Sequence, residues 1–499
     1  VESEPLLTSQ QPSTTTTNDT IDWTMTTLLF FFPALCGALF GYDIGATSGA
    51  LLSMSSPALS GTDWYNLSPL QSGLIVSLSL GGALIGSVAA LLYGDQLGRK
   101  KELLLASSLY ATASLIVAAS PGGLPGVLSG RLLYGLGIGF AMHAAPAYIA
   151  ETAPSKVRGL LISLKEAFIV GGILAGYATS YIFVNEVGGW RNMYACAAVP
   201  ALLAFAGVYT LPESPRWLAL SGAKVSDITD ALIRTKGTKG STSNASSNAS
   251  SVVEKEVDDI VQAMANSPRA IKSSIFDLSE VLQPENRRPL TIGLSLMLFQ
   301  QITGQPSVLY YAAKIFQAAG FGEAAEATGV SIILGMFKLL MTGVAVVTVD
   351  NWGRRPLLLY GVSALTASLL FLAAASSSTL GLPDGLAAWT NLGALLVYVG
   401  AYQVSFGPIS WLLVGEVFPL KVRGQAIALA SLTNFGSNFL VSLLLPSVQE
   451  AYGPASTYLI FSLIGMVAVV VIYKIVPETK GKSLEEIEAL WKHDDQNNA

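Results

Sequence analysis

Twelve stretches of this chain run for about twenty residues with almost no charge, and that recurrence limits its fold more than any other feature. A bilayer core about 30 Å thick takes about 20 apolar residues of helix. Inside it the backbone must satisfy its own hydrogen bonds, which helices do. The stretches are 25–53, 72–93, 103–120, 126–149, 160–184, 191–211, 290–319, 329–349, 356–377, 386–414, 424–447 and 456–476. Only 12% of the 499 residues are charged and 51% are apolar, whereas a soluble globular chain carries about 25% charged residues. A soluble domain, a disordered chain and a disulfide scaffold are excluded. Cys36 and Cys196 both fall in apolar stretches and are not expected to pair. The net charge of −5 comes with no basic patch, so no nucleic-acid partner is expected.

Loop charge sets an expected orientation. Arg99, Lys100 and Lys101 follow the second stretch, Lys156 and Arg158 the fourth, Arg354 and Arg355 the eighth, Lys421 and Arg423 the tenth. The intervening loops 54–71, 120–125, 185–190, 320–328, 378–385 and 448–455 contain no Lys or Arg. Both termini are therefore expected in the cytosol. Asn66, in an N-L-S sequon on the opposite side, is the expected glycan acceptor. Asn244 and Asn248 lie in sequons on the cytosolic side and are expected bare.

The chain repeats itself. Glu151-Thr-Ala-Pro-Ser-Lys-Val-Arg158 matches Glu416-Val-Phe-Pro-Leu-Lys-Val-Arg423. Asp95-Gln-Leu-Gly-Arg99 matches Asp350-Asn-Trp-Gly-Arg354, and Pro212-Glu213-Ser matches Pro477-Glu478-Thr. Three matches in one order argue for a duplicated six-helix unit. The expected class is an all-α membrane protein of 12 transmembrane helices. Its parts are an N-terminal tail (1–24), a six-helix bundle (25–211), a cytosolic loop (212–289), a second bundle (290–476) and a C-terminal tail (477–499). The loop holds a low-complexity linker, Ser241 to Ser251, flanked by short amphipathic helices around Asp227–Arg234 and Glu254–Ala265. Parallel repeats place a substrate near the bilayer midplane, between halves that rock.

The repeated motifs stand at cytosolic helix ends. A carboxylate and an arginine from neighbouring helices can bond bidentately there. Asp95, Arg99, Glu151, Arg158, Glu213, Arg216, Asp350, Arg354, Glu416 and Arg423 are therefore candidates for a cytosolic gate. The plainer alternative makes them topology signals and loop anchors. No metal cluster, nucleophile elbow or phosphate loop is present, so neither an enzyme nor a cofactor is expected.

Several motifs together resemble the sugar porters of the major facilitator superfamily over about residues 28–490. They are G-R-L-L-Y-G-L-G-I-G (130–139), P-E-S-P-R-W (212–217), Q-Q-I-T-G-Q-P-S-V-L-Y-Y (300–311), D-N-W-G-R-R (350–355), G-P-I-S-W (407–411) and P-E-T-K-G (477–481). Within the family, F-G-Y-D-I-G-A-T-S-G (40–49) and S-L-K-E (163–166) look like the plant clade of vacuolar glucose and plastidic sugar transporters, the D-xylose-proton symporter-like group.

Asp43 lies inside the first stretch and Arg131 at the start of the fourth. An ionisable group within a membrane span marks function by default. A carboxylate beside an arginine releases its proton more readily than one alone in an apolar setting, so a change of pairing can carry a proton. The resemblance implies a proton-carrier role for Asp43 with Arg131 as partner; a static ion pair is the alternative. In the bacterial xylose symporter a further acid stands where this chain has Cys196.

A hexose site needs amides, carboxylates and an aromatic face. The resemblance implies that Gln300, Gln301 and Asn434 bond sugar hydroxyls, that Trp411 stacks on the ring and that Phe40 and Tyr310 line or close the pocket. Gln305 and Asn438 join on position, Asn434 and Asn438 sharing a helix face. The alternative makes the amides interhelical glue. Two departures stand out: Glu166 and Lys165 replace the common Gln and Asn, and Pro306 occupies a common Asn position. Glu166 is accordingly a candidate sugar contact or second titrating group. His143 is expected to pack, with a proton shuttle as the alternative, and Gly135, Gly137 and Gly139 with Met142 to allow close helix approach.

The expected function is transport of a sugar, glucose or a related hexose, coupled to protons, with sugar, protons and the bilayer as partners. A passive facilitator and a non-transporting sugar sensor are the alternatives. Glu2-Ser-Glu-Pro-Leu6-Leu7 resembles an acidic dileucine sorting signal of the vacuolar membrane, while the motifs around Asp43 and Asn434 look closer to the plastid-envelope branch. The chain starts with Val1, so residues upstream of it are left open.

Overall fold

A computed structural model describes residues 22–154, 156–236, 257–258, 262, 279–377, 383–419, 422–482 and 486–488, without the side chains of Asp350, Asp384 and Gly385. Every regular element among them is helical. Asn244, Asn248, the linker, most of 254–265 and the Glu2–Leu7 segment lie outside the described residues.

The N-terminal half comprises α1 (Trp23–Met54), α2 (Pro69–Leu97), α3 (Arg99–Ala119), α4 (Leu124–Thr152), α5 (Arg158–Phe183), α6 (Gly189–Ala195) and α7 (Ala198–Thr210). Two short helices follow, α8 (Pro215–Leu220) and α9 (Val225–Thr235). The other half comprises α10 (Arg287–Ile302), α11 (Gln305–Tyr310), α12 (Ala312–Ala318), α13 (Ala324–Trp352), α14 (Arg354–Ser376), α15 (Asp384–Val404), α16 (Phe406–Val417) and α17 (Arg423–Ile475). Among the described residues ten helical segments are long and apolar enough to cross a membrane.

The segments differ from twelve simple spans in four places, two of them short breaks: one in 191–211 between α6 and α7, and one in 386–414 at Ser405 between α15 and α16. The expected span 290–319 is broken into α10, α11 and α12. Gly304 takes φ 87°, a left-handed conformation that glycine allows, and a Cβ there would lie 2.4 Å from the Phe461 ring. Pro306 then falls in the first turn of α11, where its missing N–H leaves no helical bond unmade. The spans expected at 424–447 and 456–476 form one helical run of 53 residues, interrupted by non-helical Gly453 with Pro454 after it. A straight helix of that length would reach about 80 Å, more than twice a bilayer core.

Apolar pressure does little to hold helices together in lipid; close packing does. Two seams show this. Along α1 and α5, a Cβ at Gly41 would meet Ile169 O at 1.8 Å, and one at Gly172 would meet Ala38 O at 2.0 Å. Along α2 and α4, a Cβ at Gly82 would meet Leu132 O at 2.2 Å, and one at Gly135 would meet Ser79 O at 2.1 Å. Gly137 turns the other way, toward Ala106 and Tyr110 of α3. The halves meet where α2 packs on α17 and α5 on α13. At the end remote from the Lys/Arg-bearing loops they are also bonded: Tyr177 donates to Leu309 O at 2.8 Å, and the Ala313 N–H to Ser48 Oγ at 2.9 Å.

The Gly41 contact is backbone on backbone, so neither partner can swing aside. Gly41→Val should cost about 1–3 kcal/mol or more through overpacking. It should lower the melting temperature in detergent well beyond the effect of Gly159→Val, where nothing lies within 4 Å of an added Cβ. Equal melting temperatures for the two variants would contradict a backbone-limited seam.

Candidate functional site

The centre of the N-terminal half is an ion pair between α1 and α4. Asp43 and Arg131 side chains are each 1% exposed. Arg131 Nη1 donates to Asp43 Oδ1 and Nη2 to Oδ2 at 3.0 Å, a bidentate arrangement. Its Nε donates to Ile75 O at 2.7 Å and Nη2 also to Ser79 Oγ at 2.8 Å, both on α2. The guanidinium lies 5.4 Å from the centroid of the Tyr194 ring, and the Tyr194 hydroxyl reaches Thr47 Oγ1 at 3.2 Å. Cys196 sits half-buried at the break between α6 and α7.

The amides gather around α10 and α11. Gln300 Nε2 donates to Phe406 O at 2.7 Å and Gly407 O at 3.2 Å, and its Oε1 accepts from Asn434 Nδ2 at 2.6 Å. Gln300 and Asn434 thus hold α10, α16 and α17 together in this state. Gln301 Oε1 and Gln305 Nε2, by contrast, are buried with no hydrogen-bond partner. An acceptor and a donor left open within apolar helices are what a polyhydroxyl ligand can complete. Asn438 accepts from Ser442 Oγ at 3.1 Å, and Ser442 bonds Ser307 at 2.9 Å, so Asn438 braces α17 against α11. Trp411 is 38% exposed, its ring not spent on core packing. Phe40 packs against the hydrophobic clusters of both halves, and Tyr310 is fully buried.

Glu166 is half exposed and its Oε1 lies 3.3 Å from Lys165 Nζ, which is itself buried beside Gly37 of α1. His143, expected to pack, bonds through Nδ1 to Oε1 of the fully buried Glu102 at 2.8 Å. Sequence reasoning also passed over Lys338 and Gln403, both buried, whose side chains are bonded to each other between α13 and α15. The signal was present: Lys338 is a single charge in the apolar run 329–349.

The duplicated motifs form duplicated networks, each inside its own half. Arg99 meets Asp95 at 2.9 Å and Glu151 at 3.3 Å, and Arg354 meets Glu416 at 3.1 Å. The Thr479 hydroxyl donates to Glu416 Oε2 at 2.6 Å. Other members do something different from the arginine pairing expected of them. Glu213 accepts the Lys100 N–H at 3.0 Å, and Glu478 accepts those of Arg354 and Arg355, both at 3.1 Å. These carboxylates cap the N-termini of α3 and α14, where a helix favours negative charge. Gly98 and Gly353, at φ 88° and 89°, precede the two helices, and a Cβ there would strike the capping carboxylates. Arg158 and Arg423 bond carbonyls of their own loops, Ala153 O at 3.3 Å and Phe418 O at 3.1 Å. Arg216 stands in the first turn of α8 with no ion pair to a described residue. The Asp350 side chain lies outside the described residues.

The two caps sit in different surroundings. Burial pushes the Glu213 carboxyl above its usual range, against the N–H bonds of Lys100 and Ser214. At Glu478 burial is opposed and outweighed by N–H bonds from Lys480, Arg354, Arg355 and Thr479, which hold the carboxyl below its usual range.

A family model described as "Sugar (and other) transporter" matches residues 29–491. The chain is 51% identical to an Arabidopsis thaliana protein named "D-xylose-proton symporter-like 3, chloroplastic", over 94% of this chain and 83% of that one. It is 33% identical to the galactose-proton symporter of Escherichia coli, over 93% and 94% of the two chains. Among solved structures it resembles the inward-open xylose transporter XylE of E. coli with a TM-score of 0.76 and 28% identity, covering 93% of this chain and all of the other. XylE bound to 6-bromo-6-deoxy-D-glucose gives a TM-score of 0.72 at 29% identity, over 94% and 99% of the chains.

The caps predict opposite pH signatures. Glu478, held below its unfolded pKa, adds stability that is present above about pH 4.5 and lost as pH falls through the folded value. Glu213, raised, favours folding at low pH and loses that contribution as pH rises through its folded value. Melting curves in detergent should therefore show Glu478→Gln closing on wild type toward pH 4. Glu213→Gln should fare best relative to wild type near pH 7–8. Parallel curves for both variants would refute the assignment.

Proposed function

The chain belongs to the sugar transporter family of the major facilitator superfamily, a family of membrane carriers and not of enzymes, and from that premise we propose that it moves a hexose by alternating access, coupled to protons through Asp43. The supporting observation is the sealed, bidentate Asp43–Arg131 pair. Ser48, which bonds Ala313 in the other half, lies five residues beyond Asp43 on α1. A rocking motion that parts α1 from α12 at that end therefore pulls on the helix carrying the carboxylate. When Asp43 withdraws, Arg131 retains Ile75 O and Ser79 Oγ as acceptors for its N–H groups, and its uncompensated charge favours re-pairing. Asp43 then takes a proton from the open side and releases it on re-pairing.

Gln301 and Gln305 offer the open acceptor and donor for sugar hydroxyls, Gln301 bonded to Gln300 and Gln300 to Asn434, and the partly exposed Trp411 ring is the candidate stacking face. We read twelve crossings with both termini in the cytosol. The broken α10–α12 segment serves as the seventh, and the two arms of α17 on either side of Gly453 as the eleventh and twelfth. The two hydrogen bonds at the remote end make this the state closed to the exterior or lumen. The likeness to a chloroplastic relative favours a plastid envelope over the vacuolar membrane.

Uptake of labelled glucose into liposomes tests the reading. A gradient of two pH units supplies about 2.7 kcal/mol per proton, enough for about hundredfold accumulation. Wild type should accumulate glucose under that gradient. Asp43→Asn should lose accumulation and keep exchange of labelled for unlabelled sugar. Equilibration without accumulation by wild type would make the protein a facilitator. Gln301→Ala and Gln305→Ala, each leaving a ligand hydroxyl without its partner, should raise the half-saturation concentration about tenfold. Unchanged values in both variants would remove these residues from the site.

A further inference from the structure

Lys338 is 6% exposed in a helix that is otherwise apolar around it. Its ammonium donates to Gln403 Oε1 and lies 5.7 Å from the Tyr402 ring centroid. Both partners are neutral. Among the described residues no carboxylate comes within 4.0 Å of Nζ. Two other buried cations are answered, Arg131 by Asp43 and Lys165 by Glu166. Glu166 acts on Lys338 electrostatically across the contact between α5 and α13. Moving Glu166 to Lys338 would only strand Lys165, because two ammoniums then share one carboxylate. With the ammonium charged, one positive charge is left over in either arrangement, and a buried charge calls for a counter-ion or for loss of its proton.

That charge adjoins the sugar-binding amides. The Gln403 amide lies 3.5 Å from where a Cβ on Gly407 would sit, and the Gly407 carbonyl accepts from Gln300 Nε2 at 3.2 Å. Through Gln403 and Gly407 the ammonium is thus linked to Gln300, the neighbour in sequence of Gln301. A neutral hexose brings nothing to pair with it. Oxidation of the exocyclic hydroxymethyl group to a carboxylate leaves the ring hydroxyls as they were and supplies one negative charge. A phosphate ester would bring about two, more than the single surplus charge can balance.

We propose that Lys338, held by Gln403 and Tyr402, is a specificity-determining residue that selects a monoanionic sugar acid, a hexuronate, its carboxylate pairing with the ammonium. The proposal rests on the sugar-carrier reading and narrows its substrate class. Labelled glucuronate and labelled glucose are taken up in parallel into liposomes holding the purified carrier, with glucose 6-phosphate as a competitor. Glucuronate should half-saturate at a concentration at least about tenfold below that of glucose, the scale of one charge-assisted hydrogen bond. Lys338→Gln should erase that preference and Lys338→Arg should keep it. Glucose uptake with no preference for glucuronate would overturn the proposal and leave the sugar-carrier reading standing. So would a preference that survives Lys338→Gln, or stronger competition by glucose 6-phosphate than by glucuronate. Uptake of neither sugar would overturn both. Should the variants fail to fold, the wild-type ratio alone decides.

Discussion

A guanidinium sealed among apolar helices must have its N–H groups answered, and the arrangement of α1, α2 and α4 around Arg131 follows from that demand. Asp43 answers from α1, Ile75 and Ser79 answer from α2, and the Tyr194 ring covers the group from α6. Such short bonds require backbones that nearly touch. The glycine seams supply the approach, and Gly135 on α4 stands one turn from Arg131, against the same Ser79 whose hydroxyl accepts from it. A sealed ion pair adds little to stability beyond what apolar packing would give. Its retention here makes sense as a device with two pairings, which the two α2 acceptors permit.

The two halves share one construction at their charged ends and diverge in the interior. In each, a glycine with positive φ ends one long helix, an arginine opens the next, and a glutamate from far along the chain caps it. Gln300, Gln301 and Gln305 all lie in the second half, as do Lys338 and Trp411, while Asp43 and Arg131 lie in the first. The duplicated scaffold thus carries a sealed ion pair in one half and a cluster of buried amides in the other. The half-buried Phe40 packs against a cluster of the first half and a cluster that spans both halves.

Much of the fold was legible in the residues. Runs such as 72–93 and 126–149 fall inside single helices, and the Asp227–Arg234 pattern is realised as α9. Where the reading fell short, the cause was local backbone geometry. Nothing in the apolar count of 290–319 shows that Gly304 turns left-handed against Phe461, and the loop expected at 448–455 is reduced to a break at Gly453. For the site, Asp43, Arg131, Gln300 and Asn434 could be named because polar residues are conspicuous in apolar stretches. Their division of labour could not. Gln300 and Asn434 satisfy each other, whereas Gln301 and Gln305 stay open, and that depends on how a kinked helix meets α16 and α17.

The sequence by itself determined which segments are apolar enough to lie in a membrane, that the chain is a doubled unit and where charges stand that need an answer. Those properties accumulate along the chain, residue by residue, and hydropathy and repetition carry them. Only the tertiary structure decided which group answers which. Glu213 was a candidate for arginine pairing and instead, like Glu478, holds backbone N–H groups at a helix end. Glu102 meets His143 across 41 residues, and Lys338 meets Gln403 across 65. Hydrogen bonds and ion pairs act over a few ångströms, and which side chains come that close is set by how helices distant in sequence cross.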